Sequence, residues 1–163
     1  MENICKKGKN MKVMVVSPHP DDETLGAGGT LLRLKKEGHQ IYWLNITDAK
    51  EKDGWSASFI KQRKEQIQRV CDFFEFDDTF NLKFPPAKLE MLEKSILIQK
   101  IGSCFQTVEP EWIILPDPND AHSDHKITYE SCISCSKIFR YPYIHRITTM
   151  EILSETDFGR IDN

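Results

Sequence analysis

Short apolar runs alternate with amphipathic stretches along this chain, and that alternation constrains the fold more than any other feature. Residues 13–16 (Val-Met-Val-Val), 40–46, 79–82 and 112–115 (Trp-Ile-Ile-Leu) read as strands, with 144–153 as a fifth followed by a turn at 154–158. Between them, 25–36, 59–76, 89–107 and 126–139 carry apolar residues at helical spacing; Ile67, Val70, Cys71 and Phe74 share one face of the second. Short buried strands that alternate with helices predict an α/β fold: a doubly wound, mainly parallel, Rossmann-like sheet with helices on both faces. Gly38 marks the end of the first helix, and Pro85-Pro86 closes the third strand. The 163 residues contain no internal repeat, low-complexity tract or linker, so a single domain covering 1–163 is expected.

The loop after the first strand reads Ser17-Pro18-His19-Pro20-Asp21-Asp22-Glu23. Proline and acidic residues suit any helix start, because they complement its free N–H groups and its dipole, so these residues alone fit an ordinary N-terminus. The loop after the fourth strand changes that balance. Asp120-Ala121-His122-Ser123-Asp124-His125 is too dense in histidine and aspartate for a solvated loop. In a sheet ordered 3-2-1-4-5, strands one and four are neighbours, and ligands bind in the crevice outside their carboxyl ends. The two clusters therefore meet.

His19, Asp22 and one histidine of the second cluster supply two imidazoles and a carboxylate, with a fourth position left for water. That set suits Zn2+, and Fe2+ or another divalent ion fits the same ligands. Asp21, adjacent to Asp22 but pointing another way, is the natural base for a metal-activated water. His122, with Asp124 nearby to fix its tautomer, is placed to stabilise an oxyanion or protonate a leaving amine.

Composition narrows the partners. With 22 basic against 25 acidic residues and a formal charge of −3, nothing points to nucleic acid or an anionic membrane. No run approaches about 18 apolar residues and the first ten lack a signal-type apolar core, so a soluble, cytoplasmic protein without a membrane span is expected. Five scattered cysteines fit a reducing compartment. Cys132 and Cys135 have C-x-x-C spacing but sit in a helical pattern without a second pair, and read as ordinary helix residues, as do Cys71 and Cys104. His39 and His145 read as structural or exposed, the run 50–53 as a solvated loop tip, and Trp43, Trp55 and Trp112 as core or pocket wall, with Trp55, in the loop after the second strand, the one placed to stack on a ligand.

The motifs His19-Pro20-Asp21-Asp22-Glu23 and His122-Ser123-Asp124-His125 resemble, in order and separation, the signatures of the PIG-L/LmbE family of metal-dependent N-deacetylases. That family includes deacetylases acting on N-acetylglucosaminyl-phosphatidylinositol and on the GlcNAc-inositol and GlcNAc-malate precursors of bacterial thiols. Ile46-Thr47-Asp48, Arg63 followed by Val70-Cys71 and Phe73-Phe74, and Glu151-Ile152-Leu153-Ser154-Glu155-Thr156 extend the likeness over nearly all of residues 11–159. The resemblance implies His19, Asp22 and His125 as metal ligands, Asp21 as general base, and His122 with Asp124 as the acid or oxyanion-stabilising pair. Arg63 matches an arginine that lines the family's pocket, and Asp120 is placed beside it as a second substrate contact.

The implied reaction is hydrolysis of the acetamide of a small N-acetylated amino sugar or its conjugate, with Zn2+ or another divalent ion. The alternatives are a non-catalytic metal- or ligand-binding module, or an amidase acting on another small amide. Asp21 separates enzyme from module, because a structural site has no use for a free carboxylate beside an open metal position. Ala49 stands where the family has glycine, and Gln66 where it has glutamate. The chain also stops where relatives continue, so the expectation is a complete metal site open to solvent, in either a fragment or a homo-oligomer whose neighbouring subunit covers the exposed strand edge.

Overall fold

The computed structural model describes residues 10–159. In chain order the elements are β1 (Lys12–Ser17), α1 (Asp22–Lys36), β2 (Gln40–Thr47), α2 (Ala57–Phe74), β3 (Asp78–Phe84), α3 (Lys94–Val108), β4 (Trp112–Pro116), α4 (Ser123–Ser134), β5 (Arg146–Met150) and α5 (Leu153–Gly159), with short 3-10 turns at Glu51–Asp53 and Leu89–Met91. The strands form one sheet in the order β3-β2-β1-β4-β5, parallel throughout. This is the doubly wound α/β fold that the alternation predicts.

The side-chain period of two explains why the strands look continuously apolar. Met14 and Val16 of β1 face one layer with Leu44, Ile46, Ile113 and Leu115, under Leu97, Ile101 and Phe105 of α3 and Cys132 of α4. Val13 and Val15 face the other with Ile41, Trp43 and Ile114, against Leu31 and Leu34 of α1 and Phe74 of α2. Gly26 lets α1 lie against the end of β5: a Cβ there would sit 2.9 Å from Met150 Cγ and 3.0 Å from Ile152 Cγ1.

Three elements differ from the sequence reading. The helix expected over 89–107 is broken, with Leu92 extended (ψ 150°) and α3 starting only at Lys94. The backbone N–H groups of Ala87 and Leu89 donate to the Asp124 carboxylate at 2.6 and 3.1 Å, which ties the start of the 3-10 turn Leu89–Met91 to the site. The helix expected over 126–139 begins earlier and ends at Ser134, and Pro142 then keeps Tyr141 out of helical geometry. The late strand shortens to Arg146–Met150, and the turn expected at 154–158 is helix α5, whose first turn is closed by Thr156 N–H on Ile152 O (2.7 Å) and by Ile152 N–H on Thr156 Oγ1 (2.9 Å). Residues 160–163, on which the expectation of a missing wall partly rests, lie outside the described residues.

Cys71, Cys104, Cys132 and Cys135 are free thiols. Burial pushes each thiol pKa up, that of Cys135 to about 11, so none is a reactive thiolate. Among the described residues no helix is long and apolar enough to cross a membrane.

Candidate metal centre

Buried polar residues gather at one end of the sheet. Ser17, Asp22, Glu23, Asn45, Thr47, Asp120, Asp124, His125 and Thr156 are all at most 4% exposed, and they come from the carboxyl ends of β1, β2 and β4 and the elements just beyond. This is the crevice in which open α/β sheets bind ligands.

After Ser17 the chain turns through Pro18 and Pro20, and His19 N–H donates to Asp22 Oδ2 at 2.8 Å. That bond folds the side chain of Asp22 inward, while Asp21, at the head of α1, keeps an extended φ of −163° and a half-exposed carboxylate. Two successive aspartates thus face different ways, as anticipated. On the other loop, His122 caps α4, its Nδ1 accepting Asp124 N–H at 3.1 Å. One turn on, His125 is wholly buried.

Three acceptor atoms converge. His19 Nδ1 lies 3.5 Å from Asp22 Oδ2, His125 Nε2 lies 3.4 Å from the same oxygen, and the two nitrogens are 3.3 Å apart. The far nitrogen of each ring faces a carboxylate: His19 Nε2 is 3.0 Å from Asp124 Oδ2, and His125 Nδ1 is 2.7 Å from Asp120 Oδ2. Each far nitrogen therefore donates to its carboxylate, and the facing nitrogens present lone pairs once His19 gives up the second proton that Asp124 and Asp22 favour on it. Three lone pairs aimed at one point repel unless a cation lies among them. A tetrahedral ion with bonds of about 2.1 Å needs its ligands about 3.4 Å apart, which is the spacing found. Carboxylates on the outer nitrogens are also the usual support for metal-ligating histidines. These residues fit a divalent cation.

The electrostatics agree. Burial alone lowers the pKa of His19, but its hydrogen bonds to Asp124 and Asp22 outweigh burial and raise it to about 9, so the position between the ligands attracts positive charge. Burial tends to raise the Asp124 carboxyl, yet His19 and the two backbone N–H groups hold it below the ordinary carboxylate range. His122 is pulled down by burial and by the neighbouring His19, which favours its neutral form.

The convergent set opens on a cavity of about 340 Å³ whose walls include Asp21, Arg63, His122, Trp55 and Glu155. Arg63 Nη2 is 3.4 Å from Asp21 Oδ2, so the arginine expected at the substrate sits against the expected base. Trp55 stacks on Phe59 at 4.6 Å, and with Leu25 they form an apolar flank of the mouth. Trp43 and Trp112 are core. His39, which accepts Met11 N–H, and His145 lie outside the cavity.

Two expected roles change. Asp120 does not reach the cavity: it is fully buried behind His125, with one oxygen on His125 Nδ1 and the other accepting the Thr156 hydroxyl, away from where a substrate contact was expected. The Asp124 carboxylate serves His19, and it is the Asp124 backbone N–H that fixes the His122 tautomer, leaving Nε2–H as the donor. Ser154, Glu155 and Thr156 enter the sequence reading only as part of a late strand and its turn; helix periodicity over so short a segment gives no signal that places them at the site.

Residues 14–136 match the model of the PIG-L family, described as GlcNAc-PI de-N-acetylase. A probable N-acetyl-alpha-D-glucosaminyl L-malate deacetylase 2 of Bacillus cereus is 29% identical over 121 residues, covering 69% of this chain and 55% of that protein. A diacetylchitobiose deacetylase of Thermococcus kodakarensis is 26% identical over 124 residues, covering 71% and 45%. The chain thus spans about half the length of these curated relatives. Among solved structures, the conserved protein TT1542 from Thermus thermophilus aligns with a TM-score of 0.72 at 24% identity, over 86% of this chain and 66% of that one. The N,N'-diacetylchitobiose deacetylase from Pyrococcus horikoshii gives 0.69 at 19%, over 84% and 53%. At these identities the structural likeness speaks to the fold.

Proposed function

Because the chain belongs to the PIG-L family, whose model is described as GlcNAc-PI de-N-acetylase, we propose that it is a divalent-metal-dependent N-deacetylase acting on an N-acetylated amino sugar or its conjugate. Water and the acetamide give acetate and a free amine. The observation that carries this reading is the pair of carboxylate–histidine supports, Asp124–His19 and Asp120–His125, which turn two ring nitrogens toward Asp22 Oδ2 at ligand spacing.

His19, Asp22 and His125 would hold the ion, with Zn2+ favoured by the nitrogen-rich set. Bound there, such an ion polarises an amide carbonyl and makes a water molecule acidic. Asp21 accepts the proton of the attacking water, since its half-exposed carboxylate lines the cavity directly beside the ligand Asp22 and is not itself taken up as a ligand. Arg63, beside it, favours the charged carboxylate and is within reach of substrate oxygens. His122 offers Nε2–H as a hydrogen bond to the developing oxyanion, and the proton that Asp21 took from the water passes to the departing amine. The Trp55–Phe59 stack gives the face of a sugar ring an apolar surface.

Free Asp21 also argues against a purely structural metal module. Reduced thiols support a cytoplasmic setting, and the partly exposed edge strand β5 supports a homo-oligomer, which light scattering on the purified protein tests. The test of function is amine release from a panel of N-acetylated sugars, free, nucleotide-linked and lipid-linked, after adding back Zn2+ or Fe2+. Metal-dependent release of equal acetate and amine from at least one is the expected result. Tight metal uptake with no hydrolysis of any of them would favour the binding module.

A further inference from the structure

Helix α5 reaches the metal ligands from the far end of the chain. Thr156 is fully buried, and its hydroxyl donates to Asp120 Oδ1 while Asp120 Oδ2 faces His125 Nδ1 at 2.7 Å. The same Thr156 oxygen accepts Ile152 N–H at 2.9 Å. A second tie runs alongside, from Ala121 N–H to Glu155 O at 2.9 Å. The path therefore runs from Ile152 N–H through Thr156 and Asp120 to His125, and every residue on it is at most 1% exposed.

We infer that Thr156 is a positioning residue for the metal centre, acting on His125 through Asp120; this rests on the metal reading given above. The physical reason lies in the freedom of a carboxylate. With one oxygen bound only to His125, Asp120 could rotate about its Cβ–Cγ bond and carry the imidazole with it. The Thr156 hydroxyl fixes the second oxygen, so the plane of the carboxylate, the Nδ1–H of His125 and hence the direction of the His125 Nε2 lone pair are set together. A threonine suits this place because one oxygen must donate to Asp120 and accept from Ile152. Serine does the same chemistry, whereas valine has the shape and neither bond.

The connection works in both directions, as any coupling of binding free energies must. An ion held by His125 tightens Asp120 and Thr156, and so steadies the first turn of α5. That turn places Ser154 and Glu155 on the cavity wall, so the wall and the metal centre order each other.

The test compares the wild-type protein with Thr156→Val and Thr156→Ser. Zn2+ affinity is measured by competition with a chromogenic chelator, and the His125 ring N–H is followed by NMR in protein stripped of metal. Removing the support of a ligating histidine costs about 10–100-fold in affinity, and that loss is expected for Thr156→Val, together with faster exchange of the ring N–H. Thr156→Ser is expected within about threefold of wild type on the same scale. Thr156→Val binding Zn2+ as tightly as wild type overturns the inference and leaves the metal reading standing; a wild type that takes up no Zn2+ removes both. Should Thr156→Val fail to fold, the wild type decides: Zn2+ should slow hydrogen exchange at Ile152 N–H, and an unchanged rate there overturns the inference.

Discussion

Glu23 offers a quantitative test of how this end of the sheet is built. Its carboxyl is fully buried beside Asp22 and accepts from the hydroxyls of Ser17 (3.3 Å) and Thr24 (2.6 Å) and from its own backbone N–H. Burial pushes its pKa from 4.5 up to about 7, with the Asp22 charge adding to the rise and the Thr24 and Ser17 hydroxyls opposing it. The unfolded chain loses this proton near its ordinary pKa of 4.5, and the folded protein only near 7. Between those values the native state binds more protons, so the stability present at low pH is lost as pH rises from about 4.5 through about 7. A difference of about 2.5 pKa units, at about 1.4 kcal/mol each, makes the charged form cost about 3 kcal/mol at about pH 8.

Glu23→Gln removes the charge and keeps the shape. Ser17 Oγ already accepts Trp43 N–H at 3.0 Å; losing the carboxylate as an acceptor for its own proton costs roughly 1 kcal/mol. In urea unfolding of metal-stripped protein, followed by tryptophan fluorescence, the variant should therefore gain about 2 kcal/mol at about pH 8 and lose that advantage near about pH 5. A variant no more stable than wild type at the higher pH would refute the argument that a buried, costly charge stands behind the ligands. The same variant should bind Zn2+ more weakly, because it removes negative charge next to Asp22. A destabilising charge kept beside a site is the usual trade of stability for function.

Two further outcomes follow from the geometry. Because hydrogen bonds from Asp124 and Asp22 hold the proton on His19 up to about pH 9, a metal must displace it, and Zn2+ affinity measured by chelator competition should rise about tenfold per pH unit below about 9 and level off above; a flat profile contradicts the assignment of His19 as a ligand. Trp55→Ala removes one member of the stacked pair at the cavity mouth, and for an aromatic contact of about 1 kcal/mol the KM for a sugar substrate should rise about fivefold with little change in kcat. Equal KM values would place the sugar elsewhere.

Much of this was legible because the strands are short, apolar and buried on both faces. Val13 to Val16 and Trp112 to Leu115 could hardly be anything else, and once they are neighbours, the loops after them must share a crevice. That topology brings His19 and Asp22 to the histidines of the second loop, and the family resemblance selects His125 between His122 and His125. What the chain did not disclose lies where tertiary contacts override local pattern. The apolar spacing over 89–107 is helical throughout, yet Leu92 is extended and Asp124, more than thirty residues away, holds the Ala87 and Leu89 N–H groups at the site, a contact that local pattern cannot show. Asp120 looked like a pocket residue because it sits in the motif loop, but a fully buried carboxylate must have both oxygens satisfied, and only three dimensions reveal that His125 and Thr156 do so. Thr156 itself, a lone hydroxyl in a seven-residue helix, lies in a stretch that resembles the family, but no spacing pattern assigns it a role.

The most direct test of the central claim is the metal content per chain, by elemental analysis, of wild type, His125→Ala, His145→Ala and Asp21→Asn, purified identically and saturated with Zn2+. One tightly held ion, as a three-ligand site with an open position requires, is predicted for wild type, for His145→Ala and for Asp21→Asn, the last having lost about 10²–10⁴-fold in kcat as its base is removed. His125→Ala should hold little. Equal metal in His125→Ala and wild type, or loss of the ion in Asp21→Asn, would contradict the account.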